Sequence, residues 1–250
     1  MGALHEGHLS LARLARRESG FVVVSIFVNP LQFGPGEDFA RYPRREEEDL
    51  AKLSGGGVDL VYLPEPVEFY PAGFSTAVEV GGVSENGEGG ARPGHFRGVA
   101  TVVAKLFHQV APDVAVFGRK DLQQVAVVRR MIRDLDFPIR LVVGDTVREH
   151  DGLAMSSRNA YLSPEDRRLA SAFPRVLFGA RDAAARGESD AEKLAAKVCR
   201  ELADAGIRAE YVNVVDPQTM TPVAEASRGT AIAAAVRIGT KRLIDNVLVP

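Results

Sequence analysis

Short apolar runs alternate with helically spaced stretches over the first 145 residues. Phe21–Val28 (FVVVSIFV), Val58–Leu63 (VDLVYL), Val114–Phe117 and Ile139–Val143 are nearly continuous in β-branched and aromatic residues. Runs without polar alternation suit strands of a parallel sheet that is covered on both faces. Between them, His8–Glu18, Arg45–Leu53, Val99–Gln109 and Leu122–Leu135 read as helices. In the last, Val125, Val128, Met131, Ile132 and Leu135 recur at helical spacing. Strand–helix alternation predicts an α/β domain with a doubly wound parallel sheet. Such a domain usually opens with a strand, whereas Met1-Gly2-Ala3-Leu4 leads straight into a helix. A strand ahead of residue 1 is therefore expected.

The pattern changes near Asp145. Ser163-Pro164-Glu165-Asp166 offers an N-cap followed by proline, and Ser189-Asp190-Ala191-Glu192 has capping-box spacing, so a helix should start at each. Glu210–Val215, Thr230–Val236 and Leu243–Val249 are strand candidates with short connections, which favours an antiparallel sheet. Two domains follow: 1–145, and a smaller α+β domain over 146–250. The glycine-rich segment Gly81–Gly94 reads as a mobile surface loop.

Composition narrows the classes. Lysine and arginine number 31 against 33 acidic residues, a formal net charge of −2, so nothing pulls the chain toward nucleic acid or anionic membrane. A phosphate ligand would need a local basic cluster. Cys199 stands alone, which excludes an intrachain disulfide and a cysteine metal site. No apolar run is long enough to span a bilayer, and residues 1–10 do not read as a secretory signal. A cytoplasmic setting is expected.

Several segments carry candidate chemistry. His5-Glu6-Gly7-His8 places two imidazoles three residues apart at a helix start, where free N–H groups and the helix dipole favour phosphate. The alternatives are two solvated histidines or half a metal site. Met155-Ser156-Ser157-Arg158-Asn159 supplies two hydroxyls and a guanidinium that can wrap phosphate oxygens, or a plain solvated loop. Gly118-Arg119-Lys120-Asp121 follows a strand, at the edge where open α/β sheets bind ligands. Lys120 suits a phosphate there and Asp121 a helix cap; an ordinary turn is the other reading. Asn29-Pro30-Leu31-Gln32-Phe33 lies at the same edge, and Gln123-Gln124 opens an apolar helix. Neutral amides such as Gln32 and Gln124 can hold a carboxylate and a hydroxyl, or satisfy their own turns. Arg92-Pro93-Gly94-His95-Phe96 is either a lid or a rigid turn.

Taken in order, MGALHEGH, SIFVNPLQF, RYPR, RPGHFRGVATVVAKLF, FGRKDLQQ, DGLAMSSRNAYLS and RLIDN resemble the pantothenate synthetase family of the nucleotidylyltransferase superfamily. The resemblance spans nearly the whole chain and implies a Rossmann-like domain with a smaller C-terminal domain closing over the site, in a homodimer. It implies ATP-dependent condensation of pantoate with β-alanine through pantoyl adenylate. Residues implied at the ATP site are Met1, Gly2, Ala3, Leu4, His5, Glu6, Gly7 and His8, with Gly118, Arg119, Lys120, Asp121, Val147, Met155, Ser156, Ser157 and Arg158. His8 matches the family's proton donor, His5 assists, and Lys120 meets the phosphates. Gln32 would contact pantoate and β-alanine, Gln124 pantoate, and Asn29 would support them. Magnesium would accompany ATP, with Asp49 a candidate protein contact.

Four departures from the family pattern stand out. The strand before the first motif is missing, Arg119 replaces a glutamate, Asp145 replaces a proline and should loosen the hinge, and Ser84–Gly90 is unusually rich in glycine. Competing readings are a nucleotidylyltransferase acting on a phosphorylated acceptor, an aminoacyl-tRNA synthetase, and a truncated or inactive member that binds nucleotide without turnover. Gln32 and Gln124 argue against the first, and the charge balance against the second.

Overall fold

The computed structural model describes residues 2–35 and 38–250. Helix α1 (Glu6–Glu18) begins directly after His5, whose backbone is extended, and carries Glu6 in its first turn and Arg16 and Arg17 in its last. That distribution complements the helix dipole. Strand β1 (Val23–Ser25), helix α2 (Glu46–Ser54) and strand β2 (Leu60–Tyr62) follow, then the single turns α3 (Pro66–Phe69) and α4 (Glu88–Ala91). The long helix α5 (His95–Val110), strand β3 (Val114–Gly118), helix α6 (Leu122–Asp134) and strand β4 (Arg140–Gly144) complete this half.

The strands pair in parallel as two ladders, β1 with β2 (Val23 opposite Leu60) and β3 with β4 (Val114 opposite Arg140). Among the described residues no ladder joins β1 to β3. The apolar run at Phe21–Val28 yields only three paired residues, because Asn29 and Pro30 already begin a 3-10 turn. Helix α5 is the axis of this half. Val99, Ala100, Val102, Val103, Ala104 and Phe107 are buried on it and meet Ala115, Val127, Val128 and Met131. Full burial of such a valine or methionine contributes about 1.5–3 kcal/mol.

Beyond β4 come helices α7 (Pro164–Ala170), α8 (Ala172–Ala185) and α9 (Ala191–Asp204), then strands β5 (Arg208–Val215), β6 (Ala231–Ile238) and β7 (Lys241–Leu248). The strands form an antiparallel sheet in the order β5-β6-β7. Phe173, Leu177, Leu194, Val198, Leu202, Ile232 and Val236 bury themselves in one core between helices and sheet. Ser163 caps α7 by accepting from the Asp166 N–H at 3.0 Å. The second cap is Asp190, not Ser189: its carboxylate accepts from the Lys193 N–H at 3.0 Å. Ser189 is drawn away instead, its backbone carbonyl pairing with the Ala226 N–H at 2.6 Å. A separate apolar seam joins the halves, with Leu122 and Ala126 of α6 against Val215, Met220, Ala231 and Ala233.

Candidate active site

A cleft of about 900 Å³ opens between the two halves. Its walls bring together His5, Gly7, His8, Asn29, Gln32, Gly118, Lys120, Asp121, Gln124, Val147 and Met155–Arg158. These residues come from separated segments of the chain, and each reaches the cleft for a local reason.

The histidines stand at the start of α1. Their rings lie 4.0 Å apart between centroids, and the His5 backbone N–H donates to His8 Nδ1 at 3.3 Å. A Cβ on Gly7 would fall 3.0 Å from the His5 ring, so glycine lets the ring fold over the turn. Burial lowers the His5 pKa to about 4, helped by Lys120. Burial, then His5 and Lys120, lower that of His8 to about 3. Both rings are therefore neutral at pH 7. Because His8 Nδ1 accepts, its proton sits on Nε2, which makes Nε2–H a donor.

The loop beneath is fixed by a buried carboxylate. Asp49, only 1% exposed, accepts from the Leu4 N–H at 2.6 Å, while Lys52 Nζ donates to the Leu4 carbonyl at 2.8 Å. Asp49 does not line the cleft. As a magnesium contact it does not fit: its carboxylate is turned into the base of the histidine loop, and among the described residues no group of three or more metal-ligating side chains gathers.

Asn29 is buried and fully engaged. Its Nδ2 donates to Gln32 Oε1 at 3.2 Å and to the Gly98 carbonyl at 3.1 Å, and its Oδ1 accepts from the Tyr70 hydroxyl at 2.9 Å. The side-chain amide of Gln32 is thereby oriented from behind. A Cβ at Gly98 would fall 2.1 Å from the Leu31 carbonyl oxygen, so α5 can lie against this turn only with glycine there. The Gln32 carbonyl accepts from His95 Nδ1–H at 2.8 Å and from Arg92 at 3.2 Å. Across the cleft, the Tyr42 hydroxyl lies 3.2 Å from Ser157 Oγ, and the Arg158 guanidinium sits 5.8 Å from the centre of the Tyr42 ring.

Not every expected residue reaches the cleft. Met1 lies outside the described residues. Gly2, Ala3 and Leu4 support the loop from below, where Leu4 packs with Ala12, Val22, Val24 and Leu53. Glu6 points outward and pairs with Arg13. Arg119 turns away and binds Asp145 through Nε and Nη2 at 3.2 and 2.9 Å. Asp145 thus links the end of β4 to the end of β3 through an exposed ion pair. Asp121 holds the N-cap position of α6 without making a capping bond; its carboxylate lies 3.9 Å from Lys120 Nζ.

The comparisons with known proteins bear on this arrangement. Residues 1–248 match the family model described as pantoate-beta-alanine ligase. A pantothenate synthetase of Acidobacterium capsulatum is 56% identical, over 99% of this chain and 83% of that relative. The crystal structure of pantothenate synthetase from Thermus thermophilus superposes with a TM-score of 0.96 at 50% identity, covering 100% of this chain and 91% of that one. A pantoate-beta-alanine ligase from Francisella tularensis, complexed with beta-gamma ATP and beta-alanine, matches at a TM-score of 0.81 and 33% identity, covering 99% and 87%. The chain belongs to the pantoate–beta-alanine ligase family.

Within this ligase, several cleft residues carried no signal of their own in the sequence. Gln123, not only Gln124, shapes the site. Its buried amide donates to the Val83 and Asn86 carbonyls at 2.9 and 2.7 Å and accepts from the Glu88 N–H at 2.9 Å. The glycine-rich segment is consequently pinned, with Val83 and Glu88 buried and the turn α4 in its middle, and is not the free loop its composition suggests. Glu88 binds Arg242 of β7 at 2.7 Å and Arg92 at 3.2 Å, and Arg242 binds Glu210 at 2.6 Å. A periodic sequence pattern cannot reveal such long-range charge pairs. The polar pair Gln123-Gln124, opening an otherwise apolar helix, pointed near them, as did RPGHF and RLIDN through Arg92 and Arg242.

Proposed function

We propose that the cleft performs both half-reactions of the family, with ATP, pantoate and β-alanine bound side by side. The observation carrying this reading is the convergence of the histidine pair, Gln32, Lys120 and Ser156–Arg158 on one cleft, in a ligase that forms a C–N bond. In the first step a pantoate carboxylate oxygen attacks the α-phosphorus of ATP. The bond from that phosphorus to the bridging oxygen breaks, and pyrophosphate leaves with the electron pair. In the second, the neutral amine of β-alanine attacks the acyl carbon, the acyl–oxygen bond breaks to release AMP, and the amine loses a proton.

The chain's part is to place donors where charge develops. Lys120 faces the phosphates, with Ser156, Ser157 and Arg158 opposite. His8 presents its Nε2–H to the same region, and His5 buttresses it. The negative charge of bound nucleotide counteracts the depressed pKa values of both rings, which readies His8 to give a proton as pyrophosphate departs. Gln32, held by Asn29, takes the carboxylate and hydroxyl of pantoate together with Gln124. Water must be kept from the adenylate, and movement of residues 146–250 over 1–145 would serve that end. Magnesium, in this reading, arrives on the ATP phosphates rather than in a protein cage, and no step here depends on a protein ligand to it.

The working form we propose is a cytoplasmic homodimer. Exposed Phe21, just before β1, and exposed Leu60 of β2, which among the described residues pairs with β1 alone, are its supporting feature. Light scattering of purified protein checks this point, with a monomer at micromolar concentration as the contrary result. The function is tested with ATP, magnesium and pantoate. One equivalent of pyrophosphate per site should appear without β-alanine, and steady release of AMP only with it. Nucleotide binding with no pyrophosphate would identify an inactive member instead.

A further inference from the structure

We propose that Asn246 is a positioning residue for the adenylation step, holding the turn that carries Lys120 at its working distance from the serine–arginine loop. This rests on the reading of Lys120 as the phosphate contact. Asn246 lies on β7 and is 3% exposed. Its Nδ2 donates to the Arg119 carbonyl and to the Lys120 carbonyl, both at 3.0 Å. Only an amide nitrogen can face two carbonyls at once, so the side chain has one orientation. The turn it grips, Arg119–Asp121, has no side-chain cap of its own.

Asn246 is in turn held rigidly. Asp245, 2% exposed, takes both ends of the Arg148 guanidinium at 2.7 and 3.0 Å. The same carboxylate accepts from the Asn246 N–H at 2.8 Å, and Arg148 donates to the Asn246 carbonyl at 3.1 Å. Arg148 directly follows Val147 and pairs across a bridge with Ala154, at the base of the turn that leads into Met155–Arg158. The Asp245–Asn246 pair therefore grips both phosphate-facing segments from one strand, and the spacing between them is set outside the reacting groups. Neither side chain needs to touch the nucleotide to matter, since a displacement of about 1 Å in a catalytic group can cost on the order of a hundredfold in rate.

A double-mutant cycle in the full-length enzyme separates positioning from general structural support. Pyrophosphate release is followed in a single turnover with ATP, magnesium and pantoate, for Asn246→Ala, Lys120→Ala and the combination. Asn246→Ala should slow release by roughly tenfold or more, with the KM for pantoate little changed, because Gln32 and Gln124 are untouched. Lys120→Ala should slow it by about a hundredfold. The combined variant should be no slower than Lys120→Ala alone, because Asn246 acts through that lysine. If the two losses multiply instead, or Asn246→Ala turns over like the parent, the positioning role is overturned while the reading of Lys120 stands. A near-native Lys120→Ala would remove both. Asn246→Ser, which fits the space with one donor fewer, runs the same cycle should the alanine variant fail to fold.

Discussion

At the scale of single residues, the decisive feature is a pair of imidazoles kept neutral by burial at a helix start. Their acid response follows directly. The unfolded chain takes up protons near the ordinary histidine value of 6.5, whereas the folded chain resists until about pH 4 at His5 and about pH 3 at His8. Below pH 6.5 the unfolded state thus binds more protons, and stability falls as pH drops from there toward 4. Replacing His8 by Asn should flatten the dependence of Tm on pH across that window, as thermal scans at fixed ionic strength would record. An unchanged slope would mean that His8 is solvated in the free protein. For turnover, His8→Ala should lose about a hundredfold in pyrophosphate release, the scale of one preorganised donor. Stopped-flow detection of the first turnover measures this, and a near-parental rate would remove His8 from the chemistry.

At the scale of elements, the interest lies in what the sequence made legible. The long helices and the strands of the first half are announced by their apolar pattern, and the Ser163 cap by its spacing, because these depend on neighbours in the chain; the start of α8 at Ala172 is not. Asp190 displaces Ser189 as a cap because the segment around Glu225 claims the backbone on either side of that position. The same limit applies to the segment before α5. Glycine-rich composition says mobile, yet Gln123, at a separation of 35 residues from Glu88, supplies three hydrogen bonds that fix it. Gln123→Leu keeps the volume and strands the Glu88 N–H and the Val83 carbonyl, while the Asn86 carbonyl keeps the Gly89 N–H at 3.0 Å. Each unmet buried group costs on the order of 1–3 kcal/mol, so a loss of about 3 kcal/mol is expected, equivalent to roughly 6–12 °C in Tm for a chain of this size. Limited proteolysis should then cut within residues 81–94 of the variant and spare the parent. Similar resistance in both proteins would show that the segment is held by other contacts.

At the scale of the whole molecule, the two halves are joined by apolar packing of α6 on the C-terminal sheet and by the chain of charges from Arg92 through Glu88 and Arg242 to Glu210. Glu88 is buried, so removing Arg242 leaves its charge to the longer contacts with Arg92 and the Tyr211 hydroxyl. Arg242→Met should destabilise the protein by about 3 kcal/mol, and adding Glu88→Gln should recover most of that loss, since the stranded charge goes with it. Urea unfolding of the single and double variants measures both changes; no recovery in the pair would assign the loss to packing. The arrangement also bears on the timing of synthesis. Strand β7 emerges from the ribosome after every other segment that shapes the cleft, and it delivers Arg242, Asp245 and Asn246 together. A nascent chain that has translated both histidines, both glutamines and Lys120 still lacks the strand that holds the Lys120 turn. On the role proposed for Asn246, pyrophosphate release waits until the C-terminal sheet has closed.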